Sequence, residues 1–166
     1  VAIITASYGF FSLGSILGLI SLWLIIFTNS RSKNKLRNTL KELTIINEKS
    51  LEIGLFMLTI GTFLGGVWAN ESWGRYWGWD PKETWALVSI LIYTFVLHMR
   101  FVPSLRSPLT FNIASMFSIW TIIMTYFGVN YYLSGLHSYA AGDPMPIPSF
   151  VYYLSALMFL TAIISK

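Results

Sequence analysis

The chain has 166 residues, of which 55% are apolar, 17% are aromatic and 11% are charged. Soluble domains carry charge on roughly 25% of their residues, and the mean hydropathy here is +0.62. This composition argues against a soluble globular enzyme and a disordered chain, and it predicts a polytopic membrane protein. Because cysteine is absent, disulfides, thiol nucleophiles and cysteine-ligated metals are excluded.

Five apolar segments are candidates for crossing the membrane, since about 20 helical residues cover a hydrocarbon core of about 30 Å. In chain order they are Ala2–Phe27, Leu51–Trp68, Pro81–Met99, Leu109–Val129 and the shorter Ser149–Ser165. No internal repeat or domain linker separates them. We therefore predict an all-α integral membrane protein in which residues 1–166 form a single module. Because the first residue is Val1, we expect a processed chain or a fragment of a longer protein.

The basic residues predict the orientation of these spans. Nine of the eleven fall on one side of the membrane, and they are Arg31, Lys33, Lys35, Arg37, Lys41, Lys49, Arg100, Arg106 and Lys166. The positive-inside rule makes this side cytoplasmic. The net charge of +4 is then a topology signal, and we expect no nucleic-acid partner. Contact of the basic stretch with anionic lipid is an alternative role.

The connection between the second and third spans is rich in tryptophan. Five of the seven tryptophans fall within 18 residues, and they are Trp68, Trp73, Trp77, Trp79 and Trp85. An aromatic belt at the membrane interface is one explanation, but a belt would distribute its tryptophans over several helix ends. Clustered indoles offer a wide, flat apolar surface with N–H donors at the edges. Such a surface suits a planar aromatic ligand with polar appendages.

The end of this segment has the pattern of a helix start. Asp80 can cap the free N–H groups of the first turn, and Pro81 suits the first helical position. Glu83 stands where it can complete a capping box, and both carboxylates favour the positive end of the helix. We therefore interpret Asp80 and Glu83 as structural residues first, with ligand contact as the alternative.

Two histidines are the remaining candidates for metal ligands. His98 lies near the end of the third span, about 26 Å along the helix from Pro81, and His137 lies in the outer connection that follows the fourth span. On opposite sides of the membrane they cannot share one small ion, and two histidines fall short of a zinc site. An iron porphyrin fits better because the protein supplies only one or two axial ligands. The alternative for each histidine is a packing or interfacial role.

The stretch from Gly65 to Arg100 resembles a known family. It contains the run WGRYWGWDPKETWAL, which is similar to the haem-handling "WWD" segment of the CcsA/ResC-type cytochrome c synthesis proteins. Further matches are Ser7-Tyr8 in the first span and the run GLHSY at Gly135–Tyr139. By this resemblance the WWD segment covers residues 65–85.

The resemblance implies a function and a set of site residues. Members export haem and attach it to apocytochrome c, whose CxxCH thiols add to the haem vinyl groups. The residues implied to hold haem b are Trp68, Trp73, Tyr76, Trp77, Trp79, Asp80 and Trp85. His137 matches an outer axial ligand of the haem iron, and its counterpart is expected immediately upstream of Val1. His98 matches an inner ligand whose partner lies in the other half of the synthetase.

The resemblance also implies partners and a location. We expect apocytochrome c and a CcsB/ResB-type subunit or N-terminal half as partners. The expected location is the bacterial cytoplasmic membrane with the WWD segment facing outside, and a thylakoid membrane is the alternative. Two other functions stay open. A haem or small-molecule permease would bind ligand without covalent chemistry, and a structural membrane subunit would use its tryptophans only as an interfacial anchor.

Overall fold

A computed structural model describes residues 1–28, 33–135 and 146–166 of the chain. Every regular element in these ranges is a helix, which confirms the predicted all-α fold. In chain order the helices are α1 (Ala2–Phe27), α2 (Lys33–Trp73), α3 (Pro81–His98), α4 (Pro108–Ile123), α5 (Val129–Tyr132) and α6 (Ser149–Ile164). A 3₁₀ turn, Met99–Phe101, follows α3. A π-helical turn, Met124–Gly128, joins α4 to α5.

Among the described residues, four helical segments are long and apolar enough to cross a membrane. They are Ala2–Phe27, Leu36–Trp73, Pro81–Phe101 and Pro108–Tyr132. The last helix, α6, is apolar but has 16 residues, fewer than the roughly 20 that span a bilayer core. The protein is therefore an all-α integral membrane protein, and the first, third, fourth and fifth predicted segments agree with its helices to within a few residues.

The second predicted segment differs from the structure at both ends. We expected a span from Leu51 to Trp68, whereas α2 begins at Lys33, ends at Trp73 and has 41 residues. At 1.5 Å per residue this helix is about 61 Å long. Its first half therefore extends the helix well beyond the predicted start of the span.

The charged residues before the second predicted segment lie on α2 itself. Lys49 and Glu52 form an ion pair at 2.7 Å along the helix, and Glu48 pairs with Arg100 just after α3. A helix surface accommodates such charges readily. The charged residues therefore lie on a helix that continues beyond the predicted span on its N-terminal side.

Glycines allow α1 and α2 to pack closely as an antiparallel pair. A Cβ atom built on Gly14 would lie 2.9 Å from Asn47 Oδ1, and one built on Gly54 would lie 2.9 Å from the Phe11 ring. Small residues of this kind are enriched where membrane helices contact each other. Larger side chains at these positions would force the two helices apart.

A buried polar network joins α1, α2 and α4. The Asn47 side-chain amide donates to Asn112 Oδ1 at 3.2 Å, and the Asn112 amide donates to Thr44 Oγ1 at 3.0 Å. Ser115 Oγ lies 3.0 Å from Asn47 Oδ1 and 3.1 Å from the Gly14 carbonyl oxygen. Interhelical hydrogen bonds of this type contribute about 0.6 kcal/mol each in a membrane. The network sets the register of the three helices.

The apolar core holds α3 against this framework. Tyr93 of α3 and Phe11 of α1 are fully buried, and their rings stack with centroids 3.8 Å apart. The helix directions place the first turns of α1 and α3 and the last turn of α2 at one end of the bundle. This end carries Trp68, Trp73, Trp77 and Trp79, and we name it the Trp end.

Candidate functional site

The first turn of α3 is capped as predicted. Asp80 Oδ2 accepts a hydrogen bond from the Lys82 backbone N–H at 3.2 Å, and Glu83 Oε2 accepts from the Asp80 N–H at 3.3 Å. Glu83 Oε2 also accepts from the Gly78 N–H at 2.8 Å, and Pro81 stands at the start of the helix. Asp80 and Glu83 are thus bonded to the backbone, which confirms their structural interpretation.

A cavity of about 670 Å³ lies at the Trp end between α1, α2, α3 and the π-helical turn. This volume falls within the range of about 300–1,000 Å³ that is typical of ligand pockets. Its aromatic wall residues are Tyr8, Trp68, Tyr76, Trp77 and Tyr126. Lys82 and Glu83 are the charged side chains in the described wall. A mainly apolar cavity with a few polar groups is suited to an amphiphilic ligand.

Three glycines of α2 contribute to the wall of this cavity. Gly61, Gly65 and Gly66 all line it. A Cβ atom built on Gly65 would meet no atom within 4 Å, whereas one on Gly66 would lie 3.1 Å from the Tyr76 carbonyl oxygen. Gly65 therefore faces open space in the cavity. A flat ligand can approach the backbone closely at such a position.

The structure divides the predicted aromatic residues into two groups. Trp68, Tyr76 and Trp77 line the cavity. Trp73 meets Trp68 edge to face with centroids 5.1 Å apart, and Trp79 meets Trp77 in the same way at 5.8 Å. The second group therefore supports the wall from outside.

Trp85 lies within α3 and outside the described cavity wall. Its carbonyl oxygen accepts a hydrogen bond from Ser89 Oγ at 2.9 Å and lies 3.2 Å from Thr125 Oγ1 in the π-helical turn. Ser89 Oγ and Thr125 Oγ1 are themselves 3.1 Å apart. Trp85 is thus part of the contact that fixes α3 against the π-helical turn.

His98 lies at the opposite end of α3 from the cavity. Its side chain is exposed, and Nδ1 lies 2.7 Å from the Thr94 carbonyl oxygen. This hydrogen bond assigns the proton to Nδ1 and leaves Nε2 as the nitrogen that can bind a metal. Within the described part of the chain, no cluster of three or more His, Asp or Glu residues could hold a metal ion. His98 alone could supply one axial ligand to a haem.

His137 lies outside the described residues. The described chain before it ends at Gly135, where a built Cβ atom would lie 2.9 Å from Pro81 Cδ. Gly135 also lies directly against the Asp80 carboxylate. The connection that carries His137 therefore departs from the Trp end, beside the cap of α3.

Comparison with known proteins identifies the family. The family described as "Cytochrome C assembly protein" matches residues 1–137. Protein NrfI of Wolinella succinogenes is 53% identical over 146 residues, which are 88% of this chain and 16% of that protein. The cytochrome c biogenesis protein CcsA of Chlamydomonas reinhardtii is 37% identical over 140 residues, covering 84% of this chain and 39% of that protein.

The chain belongs to the cytochrome c assembly protein family. Its resemblance to the CcsA type is confirmed, because CcsA of Coffea arabica is also 43% identical over 113 residues, or 66% of this chain and 34% of that protein. The chain spans less than two fifths of the length of each of these three relatives. The cavity and the π-helical turn both lie inside the part that the family matches.

Sequence reasoning missed two wall residues of this family member. Tyr126 lies in the π-helical turn and meets Tyr8 edge to face, with centroids 6.3 Å apart. Lys82 lies in the same wall and was not among the predicted site residues. A π-helical turn often marks a functional site, but it has no clear sequence signature beyond Gly128 at its end. The position of Lys82 in a cavity wall depends on tertiary packing.

Proposed function

We propose that residues 1–166 form the haem-holding module of a cytochrome c biogenesis protein, with the WWD segment at residues 65–85. Membership of the cytochrome c assembly family supports a role in cytochrome c biogenesis. The observation that carries the proposal is the mainly apolar cavity of about 670 Å³, which is lined by glycines of α2 and by aromatic side chains. This shape and chemistry suit a porphyrin, and we propose haem b as the substrate.

Within this proposal, the aromatic wall holds the porphyrin by apolar contact. Trp68, Tyr76 and Trp77 offer rigid flat surface at low cost in conformational entropy. His137 would supply an axial ligand. It follows Gly135 by two residues, which span at most about 7 Å of extended chain, so chain length permits an approach to the α3 cap. Asp80 would act mainly through that cap.

We assign His98 to a second, inner contact with haem. Its exposed position on the bundle surface leaves room for a ligand from another part of the full-length protein or from a CcsB/ResB-type partner. The proton on Nδ1, shared with the Thr94 carbonyl oxygen, would direct Nε2 to the iron. Haem would then pass from this end of the bundle to the Trp end.

The proposed reaction joins haem to apocytochrome c at the outer face of the membrane. Each thiol of a CxxCH motif adds its sulfur and its proton across one haem vinyl group, which gives a thioether. This chain has no cysteine, so both thiols belong to the apocytochrome. The chain's own residues would bind and orient the porphyrin. We place the protein in the bacterial cytoplasmic membrane, with a thylakoid membrane as the alternative.

The proposal is tested with the full-length parent protein purified in detergent. We expect bound haem in its visible spectrum, and lower haem content and cytochrome c maturation in the His137→Ala and Trp77→Ala variants. Trp23→Ala is the control, because Trp23 lies on α1 away from the cavity and bonds to Thr161. Unchanged haem content and maturation in both site variants would overturn the proposal. Bound haem without thioether product would instead indicate a permease.

A further inference from the structure

The end of the bundle opposite the Trp end carries a second, smaller pocket. It lies between α2, the last turn of α3 and the first turn of α4, and its volume is about 160 Å³. This volume is below the roughly 300–1,000 Å³ of pockets that enclose a whole small molecule. The pocket therefore fits one small group, such as the end of a larger ligand. Its charged side chains are Glu48, Arg100 and Arg106.

The two arginines of this pocket differ in how they are held. Arg100 pairs with Glu48, and its guanidinium carbon lies 4.9 Å from the centroid of the Phe101 ring. Arg106 is exposed, and its side chain has no hydrogen-bond or ion-pair partner among the residues that the structure describes. Two guanidinium groups and one carboxylate leave the pocket with a net positive charge, so the pocket favours an anion.

A hydroxyl group adds a neutral donor to the pocket. Thr44 lines it and accepts a hydrogen bond from the Asn112 amide at 3.0 Å. Within the described ranges, the Thr44 O–H itself has no acceptor. A phosphate group offers several acceptor oxygens, and the forked donors of arginine match their geometry. The donor set of two guanidinium groups and one hydroxyl therefore suits a phosphate.

This pocket lies where two apolar helical segments end. Pro81–Phe101 ends beside it and Pro108–Tyr132 begins in its wall, and both are long and apolar enough to cross a membrane. Phe101 and Val102, which directly follow Arg100, are 67% and 42% exposed. Cations next to exposed apolar side chains at the end of a span match the boundary between lipid headgroups and acyl chains. A phosphate at this depth belongs to a phospholipid.

We propose that this pocket binds the phosphate of an anionic phospholipid, with Arg106 as the principal partner. Arg100 and Thr44 complete the donor set, and the acyl chains lie along Phe101 and Val102. In the predicted orientation this lipid belongs to the cytoplasmic leaflet, whose surface is negatively charged. The inference goes beyond the proposed function and does not depend on haem binding.

The test measures lipid binding to the detergent-purified full-length parent by native mass spectrometry. Phosphatidylglycerol is compared with phosphatidylcholine of the same acyl chains, whose choline cancels the phosphate charge. We expect the parent to prefer phosphatidylglycerol, and Arg106→Gln to bind it about fivefold more weakly, as the loss of one cation near a phosphate predicts. The control is Lys49→Gln, because Lys49 is exposed, pairs with Glu52 and lies outside the pocket wall. It should bind phosphatidylglycerol as the parent does.

Two further variants give effects of other sizes and sign. Arg106→Lys should keep most of the preference, because it keeps the charge. Glu48→Gln should bind phosphatidylglycerol more tightly than the parent, because it removes the negative charge from the pocket and retains an acceptor for Arg100. Arg106→Gln breaks no side-chain contact among the described residues, so it should unfold at the same temperature as the parent.

Three results would overturn the inference. The first is phosphatidylglycerol binding that is the same in the parent and in Arg106→Gln. The second is an equal loss in Arg106→Gln and Lys49→Gln, which would indicate a general attraction between cations and anionic lipid. The third is binding of glycerol phosphate as tight as that of phosphatidylglycerol, which would assign the pocket to a soluble phosphate compound.

Discussion

Trp79 is the one non-glycine residue with a positive φ in the described part of the chain, at 57°. This left-handed conformation costs about 1–2 kcal/mol for a residue that has a Cβ atom. The side chain is 71% exposed, so its burial does not offset that cost. Because strain of this kind clusters at functional sites, we predict that Trp79 serves haem binding in addition to its edge-to-face contact with Trp77.

Replacing Trp79 separates stability from function. We expect Trp79→Gly to match or exceed the parent's stability, by up to about 1 kcal/mol, because glycine adopts this conformation freely. The same variant should retain less haem. Thermal unfolding and haem content of the purified full-length protein measure the two effects.

Gly74 provides the matched control for this prediction. It lies in the same segment with φ of 70°, and a Cβ atom there would meet nothing within 4 Å. Gly74→Ala should therefore lower stability by about 1 kcal/mol through strain alone, with haem content unchanged. A Trp79→Gly protein that unfolds well below the parent would show that the residue serves the fold.

At the scale of single residues, the sequence predicted those features that depend on the spacing of neighbouring residues. The cap of α3 depends on Asp80, Pro81 and Glu83 at fixed spacing, so the pattern alone specifies its hydrogen bonds. The division of the tryptophans could not be predicted in this way. Whether an indole lines the cavity, as Trp77 does, or supports the wall, as Trp79 does, depends on how three helices meet.

At the scale of elements, the contact of α1 with α4 depends on a glycine. A Cβ atom on Gly18 would lie 2.8 Å from the Asn112 carbonyl oxygen, a backbone atom that cannot move aside without its helix. We expect Gly18→Val to destabilise the protein by about 1–3 kcal/mol through overpacking. Thermal unfolding in detergent measures this loss.

Gly9 is the control for this change, because it lies on the same helix and a Cβ atom there would meet nothing within 4 Å. Gly9→Val carries the same change in helix propensity. Equal stability of the Gly9→Val and Gly18→Val proteins would contradict the close packing of α1 on α4.

The start of α2 shows that a segment rich in charged residues can continue a membrane helix. Residues 33–50 precede the predicted span Leu51–Trp68 and carry many charges, yet they belong to the same helix, which begins at Lys33. Lysine, leucine, arginine and glutamate are good helix formers, so the signal was present in the propensities. The π-helical turn at Met124–Gly128 had no comparable signal, and its Thr125 contacts Ser89 of α3.

At the scale of the whole molecule, the distribution of charge predicts the orientation in the membrane. Nine of the eleven basic residues are predicted to lie on one side, and we therefore predict that the Trp end faces outside. Because the chain has no cysteine, the labelling of single introduced cysteines can test this orientation. In spheroplasts, an impermeant maleimide should label Ser72→Cys at once and Ser104→Cys only after permeabilisation. The reverse pattern would place the Trp end in the cytoplasm.

If the cavity at the Trp end holds haem, a side chain that fills the cavity should displace the haem. Gly65→Leu places a side chain in the open space of the cavity, and Gly9→Leu makes the same change on α1, where a Cβ atom also meets nothing within 4 Å. The measurement is the haem content of each purified full-length variant, by visible absorbance. We predict a loss of haem in Gly65→Leu and a normal content in Gly9→Leu. Equal haem content in the two variants would show that haem does not occupy this cavity.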